Sequence, residues 1–253
     1  MPGQPEPSTS TGWSGIAARD QLVEQVVEVH PDGATALTAP HFYVHDQRSA
    51  GLGLALLEQL VAAGDSRPVR AVVVLATQYP LEAVGEIAEA MAQLAVRRVE
   101  VRLSPFGGED LSARQIRRGL DRYRAFTDAG LSVTAGWAGL VGQTALARGV
   151  VDHYSVGVAE RERLDHKAAL NTQQKPPRVD ENGKRLPQGS KTRIYLPGLM
   201  LSTPAATGEL LIADTAVRTR VGCRIGRCGS SINGPMLDPR QHYLHSHATY
   251  AAG

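Results

Sequence analysis

Short apolar runs alternate with amphipathic stretches through the middle of this 253-residue chain. Strands are predicted at 41–46, 69–77, 99–104, 131–137 and 151–158. Helical patterns fill the four intervals between these runs, which is typical of βαβ units and of a parallel sheet covered by helices. A sixth strand is predicted at 192–200, and a helix follows it at 204–213.

The length of the chain limits the kind of α/β fold that this pattern can form. A complete eight-stranded (β/α) barrel needs about 250 residues by itself. We therefore expect an incomplete or shortened TIM-like barrel of parallel strands, with an open sheet as the alternative. A shortened barrel leaves an edge strand without a neighbour, which a homodimer or a covering segment would protect.

Three regions of the chain differ in composition. Residues 1–15 are rich in Pro, Ser, Thr and Gly and predict a disordered tail. Residues 16–215 carry the barrel-like pattern, interrupted at 171–191 by the polar and basic excursion NTQQKPPRVDENGKRLPQGSK. Residues 216–253 form a basic segment that contains both cysteines.

Charge is distributed unevenly along the chain. Residues 1–160 carry 13 basic and 18 acidic side chains, whereas residues 161–253 carry 14 basic and 7 acidic ones. This asymmetry favours RNA or DNA as a partner of the last third, although a solvated basic surface would give the same count. Two cysteines do not make a disulfide scaffold, and neither a membrane-length apolar run nor a signal-peptide pattern occurs. We expect a cytoplasmic protein without membrane contact.

Polar side chains recur on one side of the predicted strands, since alternate residues of a strand face opposite ways. This side carries His41, Tyr43, His45, Thr77, Glu100, Arg102, Ser104, Thr134, His153 and Ser155. Charged groups are costly in a closed core, so the pattern predicts a lumen or cleft in which Glu100, Arg102 and His153 bind a substrate. An edge strand with one wet face is the alternative interpretation.

Both cysteines lie close to three of the eight histidines. The spacing Cys223-x4-Cys228-x13-His242-x4-His247 fits a Cys₂His₂ zinc site, because tetrahedral zinc accepts two thiolates and two imidazoles. His245 is a further candidate ligand, since it shares a helical face with His242 if residues 239–250 are helical. Two ordinary reduced thiols beside a polar helix are the alternative.

Four short strings follow one another after residue 150. They are YSVGVAERE (154–162), YLPGLMLSTPAATGELL (195–211), IADTAVRTR (212–220) and HYLHSHA (242–248). In this order they resemble the C-terminal half of the tRNA-guanine transglycosylase family. The resemblance implies a barrel transferase that replaces a guanine in nucleic acid by a deazaguanine base, through a covalent ribosyl intermediate.

The resemblance also implies roles for particular residues. Asp214 falls at the position of the family's nucleophilic aspartate, and Gly157 and Val158 fall where the family's backbone holds the purine edge. Asp46 is the candidate for the acid/base partner. A carboxylate can attack an anomeric carbon and hold a glycosyl ester, whereas the alternative for Asp214 is to cap or salt-bridge the segment that follows it.

A basic cluster follows Asp214, and its guanidinium groups are suited to holding phosphates: Arg218, Arg220, Arg224 and Arg227. Three functions stay open. The first is base exchange at a glycosidic bond with Asp214 as the nucleophile, and the second is non-catalytic, zinc-stabilised binding of nucleic acid. The third is a small-molecule barrel enzyme that uses His45 and the polar side of the sheet.

Overall fold

The fold is taken from a computed structural model of the chain. The structure describes residues 15–63, 65–108, 111–156, 163–176, 181, 193–199, 201–223, 228 and 238–251. The predicted tail, apart from residue 15, and most of the predicted excursion lie outside these residues. Within the described ranges, none of the helices combines the length and the apolarity that a membrane span requires.

Between residues 37 and 154 the long strands are separated by helices, and β1-β2 and β4-β5 are the two places where strands follow each other directly. The helices are α1 Ile16–Val29, α2 Gln47–Ala62, α3 Leu81–Gln93, α4 Ala113–Asp128, α5 Gly139–Ala147, α6 His166–Gln173, α7 Ala205–Ala213, α8 Thr215–Val221 and α9 Pro239–Ala251. The strands are β1 Leu37–Thr38, β2 Tyr43–Val44, β3 Val69–Ala76, β4 Arg98–Ser104, β5 Phe106–Gly107, β6 Ser132–Ala135, β7 His153–Tyr154, β8 Arg163–Leu164, β9 Arg193–Leu196 and β10 Leu201–Pro204.

The main sheet is parallel throughout and has the order β1-β3-β4-β6-β7, with β2 also paired to β3. From β3 onward the strands lie side by side in chain order, so the prediction of a parallel α/β fold is confirmed. Pairing among the described residues runs from β1 to β7 and does not close into a ring. The sixth predicted strand is present as β9. It pairs antiparallel with β10 and does not belong to this sheet.

The two faces of the sheet differ in chemistry, as strand periodicity predicts. One face packs apolar strand residues against α2, α3, α4 and α5, and its strand members include Val73, Leu75, Val99, Val101, Leu103 and Val133. The other face carries Arg70, Glu100, Arg102, Thr134 and His153 and is hereafter called the polar face. In β3 the residues of this face are even-numbered, and the strand ends at Ala76. Thr77, predicted for this face, lies one residue beyond the strand.

A second, smaller unit follows the sheet. The β9-β10 hairpin packs on α7 around Ile194, Leu196 and Ile212, and α9 lies against β9. Tyr195 and Tyr243 meet edge to face with ring centroids 5.5 Å apart. The hydroxyl of Tyr154 reaches the carbonyl oxygen of His247 at 3.5 Å and joins this unit, hereafter the C-terminal unit, to the main sheet.

Tight packing of α4 against β5 gives a first prediction. A Cβ atom on Gly119 would lie 2.2 Å from Cζ of the buried Phe106, whereas one on Gly85 in α3 would meet nothing within 4 Å. We expect Gly119→Ala to lower the free energy of unfolding by about 1–3 kcal/mol, because the ring must move. Gly85→Ala, the matched control, should raise it by up to about 1 kcal/mol through helix propensity.

Urea titrations of both variants measure these changes. Equal effects of the two substitutions would contradict this account of how α4 packs.

Candidate metal centre

Two cysteines and two histidines converge in the C-terminal unit. The ligand atoms of Cys223, Cys228, His242 and His245 all lie within 4.8 Å of one another. The Sγ of Cys223 is 3.3 Å from Nε2 of His245, and the Sγ of Cys228 is 3.0 Å from Nδ1 of His242. A tetrahedral zinc ion holds its sulfur and nitrogen ligands about 3.5 Å apart, given Zn–S and Zn–N bonds of about 2.3 and 2.0 Å. The group therefore has the size and composition of a zinc site.

His242 is held in the orientation that a metal ligand needs. Its ring is 1% exposed, and its Nε2 lies 2.6 Å from the carbonyl oxygen of Tyr195 in β9. The N–H must be on Nε2 to donate to this carbonyl, which leaves the lone pair of Nδ1 directed at Cys228. Histidine ligands of zinc characteristically donate their other ring N–H to a carbonyl or a carboxylate in this way. Burial also lowers the pKa of His242, which favours the neutral ring.

The Cys228 thiol lies in surroundings that do not by themselves stabilise a thiolate. Burial, together with the neighbouring Cys223, raises the pKa of Cys228 to about 12. A divalent cation reverses this preference, because the ion's charge compensates the thiolates and displaces their protons. The donor set thus fits a divalent cation.

The fourth member of the group is His245. The linear spacing of the sequence predicted His247 for this position. Residues 242 and 247 lie about 140° apart around a helix, whereas residues 242 and 245 lie about 60° apart and share a face. His247 instead belongs to an aromatic cluster, with its ring centroid 5.0 Å from Tyr195 and 4.5 Å from Tyr243. Helical periodicity therefore favours His245 over His247 as the fourth ligand. This periodicity can be read from the sequence once residues 239–251 are assigned to a helix.

Close contact between the β9-β10 turn and α8 positions Cys223. The amide N–H of Gly198 donates to the carbonyl oxygen of Val221 at 3.2 Å. A Cβ atom on Gly198 would lie 2.1 Å from the carbonyl oxygen of Arg220, so only glycine permits this approach. The glycine of the YLPG string therefore has a packing role at the end of α8, two residues before the first cysteine.

Both predicted catalytic aspartates cap helices. Asp214 is the N-cap of α8 and accepts hydrogen bonds from the amides of Ala216 and Val217 at 2.8 and 2.9 Å. Asp46 is the N-cap of α2, where Ser49 donates from its hydroxyl and its amide and lowers the pKa of the carboxyl. The capping alternative describes these contacts, and a catalytic role for either residue stays a prediction.

Three residues of the polar face were predicted to bind a substrate. Glu100 and Arg102 form an ion pair, whereas His153 lies apart from them. Glu100 is 5% exposed and forms ion pairs with Arg70 and with Arg102, whose Nε lies 2.6 Å from Oε1. The guanidinium of Arg102 also lies over the ring of Trp137, 5.4 Å from its centroid. His153 is exposed and two strands away from Glu100, which puts about 10 Å between their backbones.

Of the predicted nucleic-acid contacts, Arg218 and Arg220 lie in the last turn of α8, half-buried and exposed respectively. Arg224 and Arg227 lie outside the described residues, as do Gly157 and Val158.

Comparison with known proteins finds no similarity. Models of known protein families, curated proteins and solved structures were searched, and none of them matches this chain.

The geometry of the group gives a second prediction, which separates the two candidate histidines. Cobalt(II) added to the metal-free protein should give the visible absorption and the sulfur-to-metal charge-transfer band of a tetrahedral Cys₂His₂ site. We expect His245→Asn to change this spectrum strongly, because it removes a ligand, whereas His247→Asn should leave the band positions unchanged. The reverse pattern would return His247 to the ligand set.

Proposed function

We propose that this protein binds nucleic acid through a C-terminal unit stabilised by zinc, beside a sheet that is an incomplete TIM-like barrel. The observation that carries the proposal is the convergence of two cysteines and two histidines directly beyond α8, the helix that carries Arg218 and Arg220.

The composition of the metal group supports a structural role for zinc. Structural zinc sites have four protein ligands, whereas catalytic sites keep a position for water or substrate. Here four side chains offer ligand atoms, and three of them are buried. A zinc ion would therefore hold α9, Cys223 and Cys228 together, and its contribution would be to stability.

Basic side chains of α8 support contact with phosphates. Asp214 fixes the start of this short helix, and the contact between Gly198 and Val221 fixes its end. Arg218 and Arg220 lie on a backbone that is held at both ends. Binding therefore loses less backbone conformational entropy than it would on a flexible segment. Guanidinium groups make the bidentate contacts that phosphates favour, and residues 161–253 carry an excess of 7 basic side chains.

Strand order supports the barrel-like origin of the sheet. Parallel strands that follow chain order, with their helices on one face, are the arrangement of a (β/α) barrel before closure. The opposite face would form the lumen of such a barrel. Its paired charges, Arg70, Glu100 and Arg102, give this face the polar character that a lumen would have.

Base exchange of the transglycosylase type is the second candidate function. The exposed carboxylate of Asp214 lies at the start of the helix that presents Arg218 and Arg220, where a bound phosphate backbone would pass close to it. This candidate requires the carboxylate to leave its capping contacts and attack an anomeric carbon.

Binding of a hairpin RNA and a duplex DNA, measured by fluorescence anisotropy from 50 to 200 mM salt, tests the proposal. We expect Arg218→Gln/Arg220→Gln to weaken binding and to lower the slope against salt by about 1 for each phosphate that the protein no longer neutralises. Arg114→Gln/Arg117→Gln removes the same charge from the exposed side of α4 and serves as the matched control.

Chelation of the metal should weaken binding as well, because α8 loses its support. Equal loss in the two arginine variants, or no retention of either nucleic acid at 50 mM salt, would contradict the proposal. A covalent adduct with the RNA that disappears in Asp214→Asn would establish the second candidate.

A further inference from the structure

A cleft of about 590 Å³ lies at the amino-terminal edge of the main sheet. Its walls are the last turn of α2 and the segments that lead into β1, β3 and β4. The metal centre and α8 contribute nothing to this lining, so the cleft is distinct from the proposed nucleic-acid surface.

Positive charge dominates the lining of the cleft. Four arginines belong to it, Arg67, Arg70, Arg97 and Arg98, against one acidic residue of the described chain, Asp65. Arg67 takes both oxygens of Asp65, at 2.9 and 2.7 Å, and lowers the pKa of that carboxyl to about 2. Both carboxylate oxygens of Asp65 are therefore occupied by Arg67. The lining offers no second carboxylate to neutralise the charge of the other three arginines.

Register places two of these charges side by side. Arg70 of β3 pairs with Arg98 of β4, so their side chains leave the same face of the sheet about 5 Å apart. Like charges in directly opposed positions are destabilising. Glu100 compensates Arg70, but its second oxygen is held by Arg102. Arg98 and its exposed neighbour Arg97 make no ion pair with a carboxylate of the described residues.

Most of the remaining lining is apolar, with Thr35 as the polar exception. Val61, Val69 and Leu94 are the larger apolar groups that a ligand could touch, and Val61 is 37% exposed. Small-molecule sites of proteins combine such walls with a few charged groups, in volumes of about 300–1,000 Å³. Two uncompensated guanidinium groups match the double charge of a phosphate better than the single charge of a carboxylate. We propose that this cleft binds a small organic phosphate, with the phosphate on Arg97 and Arg98 and its organic part on the apolar wall.

Isothermal titration calorimetry with two organic phosphates, phenyl phosphate and uridine 5′-monophosphate, tests the site. Inorganic phosphate, benzoate and uridine separate the contributions of the phosphate, of a carboxylate and of the organic part. We expect both organic phosphates to bind more tightly than these three compounds. Arg97→Gln/Arg98→Gln should weaken their binding about tenfold or more, since charged hydrogen bonds are lost.

Two further variants make the result specific. Val61→Glu adds a carboxylate at a half-exposed position of the wall and should repel the phosphates without loss of the fold, which circular dichroism checks. Arg114→Gln/Arg117→Gln removes two exposed charges from α4, outside the cleft, and should leave binding unchanged.

Absence of binding by both organic phosphates at millimolar concentration would overturn the proposal. Equal weakening by the two double-arginine variants would overturn it too, because binding would then follow net charge alone. If Arg97→Gln/Arg98→Gln weakens RNA binding while neither organic phosphate binds, the cleft belongs to a nucleic-acid surface and the proposal fails.

Discussion

A buried hydrogen bond from His242 to the carbonyl oxygen of Tyr195 ties the candidate metal group to β9. It fixes the tautomer of the ring, directs Nδ1 toward Cys228 and holds α9 against β9. Because His242 is almost fully buried, its ring would carry an unsatisfied polar group if either contact were missing. The order of this unit and its capacity for metal thus depend on the same side chain.

The main sheet depends on a comparable balance of buried charge. Glu100 lies nearly inaccessible to water between Arg70 and Arg102, and each of its oxygens serves one guanidinium group. Removal of one partner from a buried pair leaves an uncompensated charge, which generally costs several kcal/mol. This network lies on the polar face of the sheet, and it explains how a parallel sheet in chain order tolerates charged residues at its centre.

Periodicity predicted the parts of this fold that depend on local pattern. Alternation of apolar runs gave the parallel strands, and strand parity placed Glu100 and Arg102 on one face. The sequence pattern does not show that β9 pairs with β10, because an apolar run of that length suits the main sheet and a separate hairpin equally well. It also could not tell that Asp214 caps α8, since an aspartate before a helix has the same sequence signature in a cap and at a reactive site. Linear spacing predicted Cys223, Cys228 and His242, which the structure brings together, and named His247 where the helical turn brings His245 beside His242.

Zinc coordination by the Cys₂His₂ group is the central claim, because the proposed zinc-stabilised unit, and with it the proposed binding of nucleic acid, rests on it. X-ray absorption at the zinc edge of the purified, metal-loaded protein tests this claim most directly. The account predicts a first shell of two sulfur atoms at about 2.3 Å and two nitrogen atoms at about 2.0 Å. A shell of nitrogen and oxygen atoms without sulfur, or a protein that retains no zinc after dialysis, would contradict it.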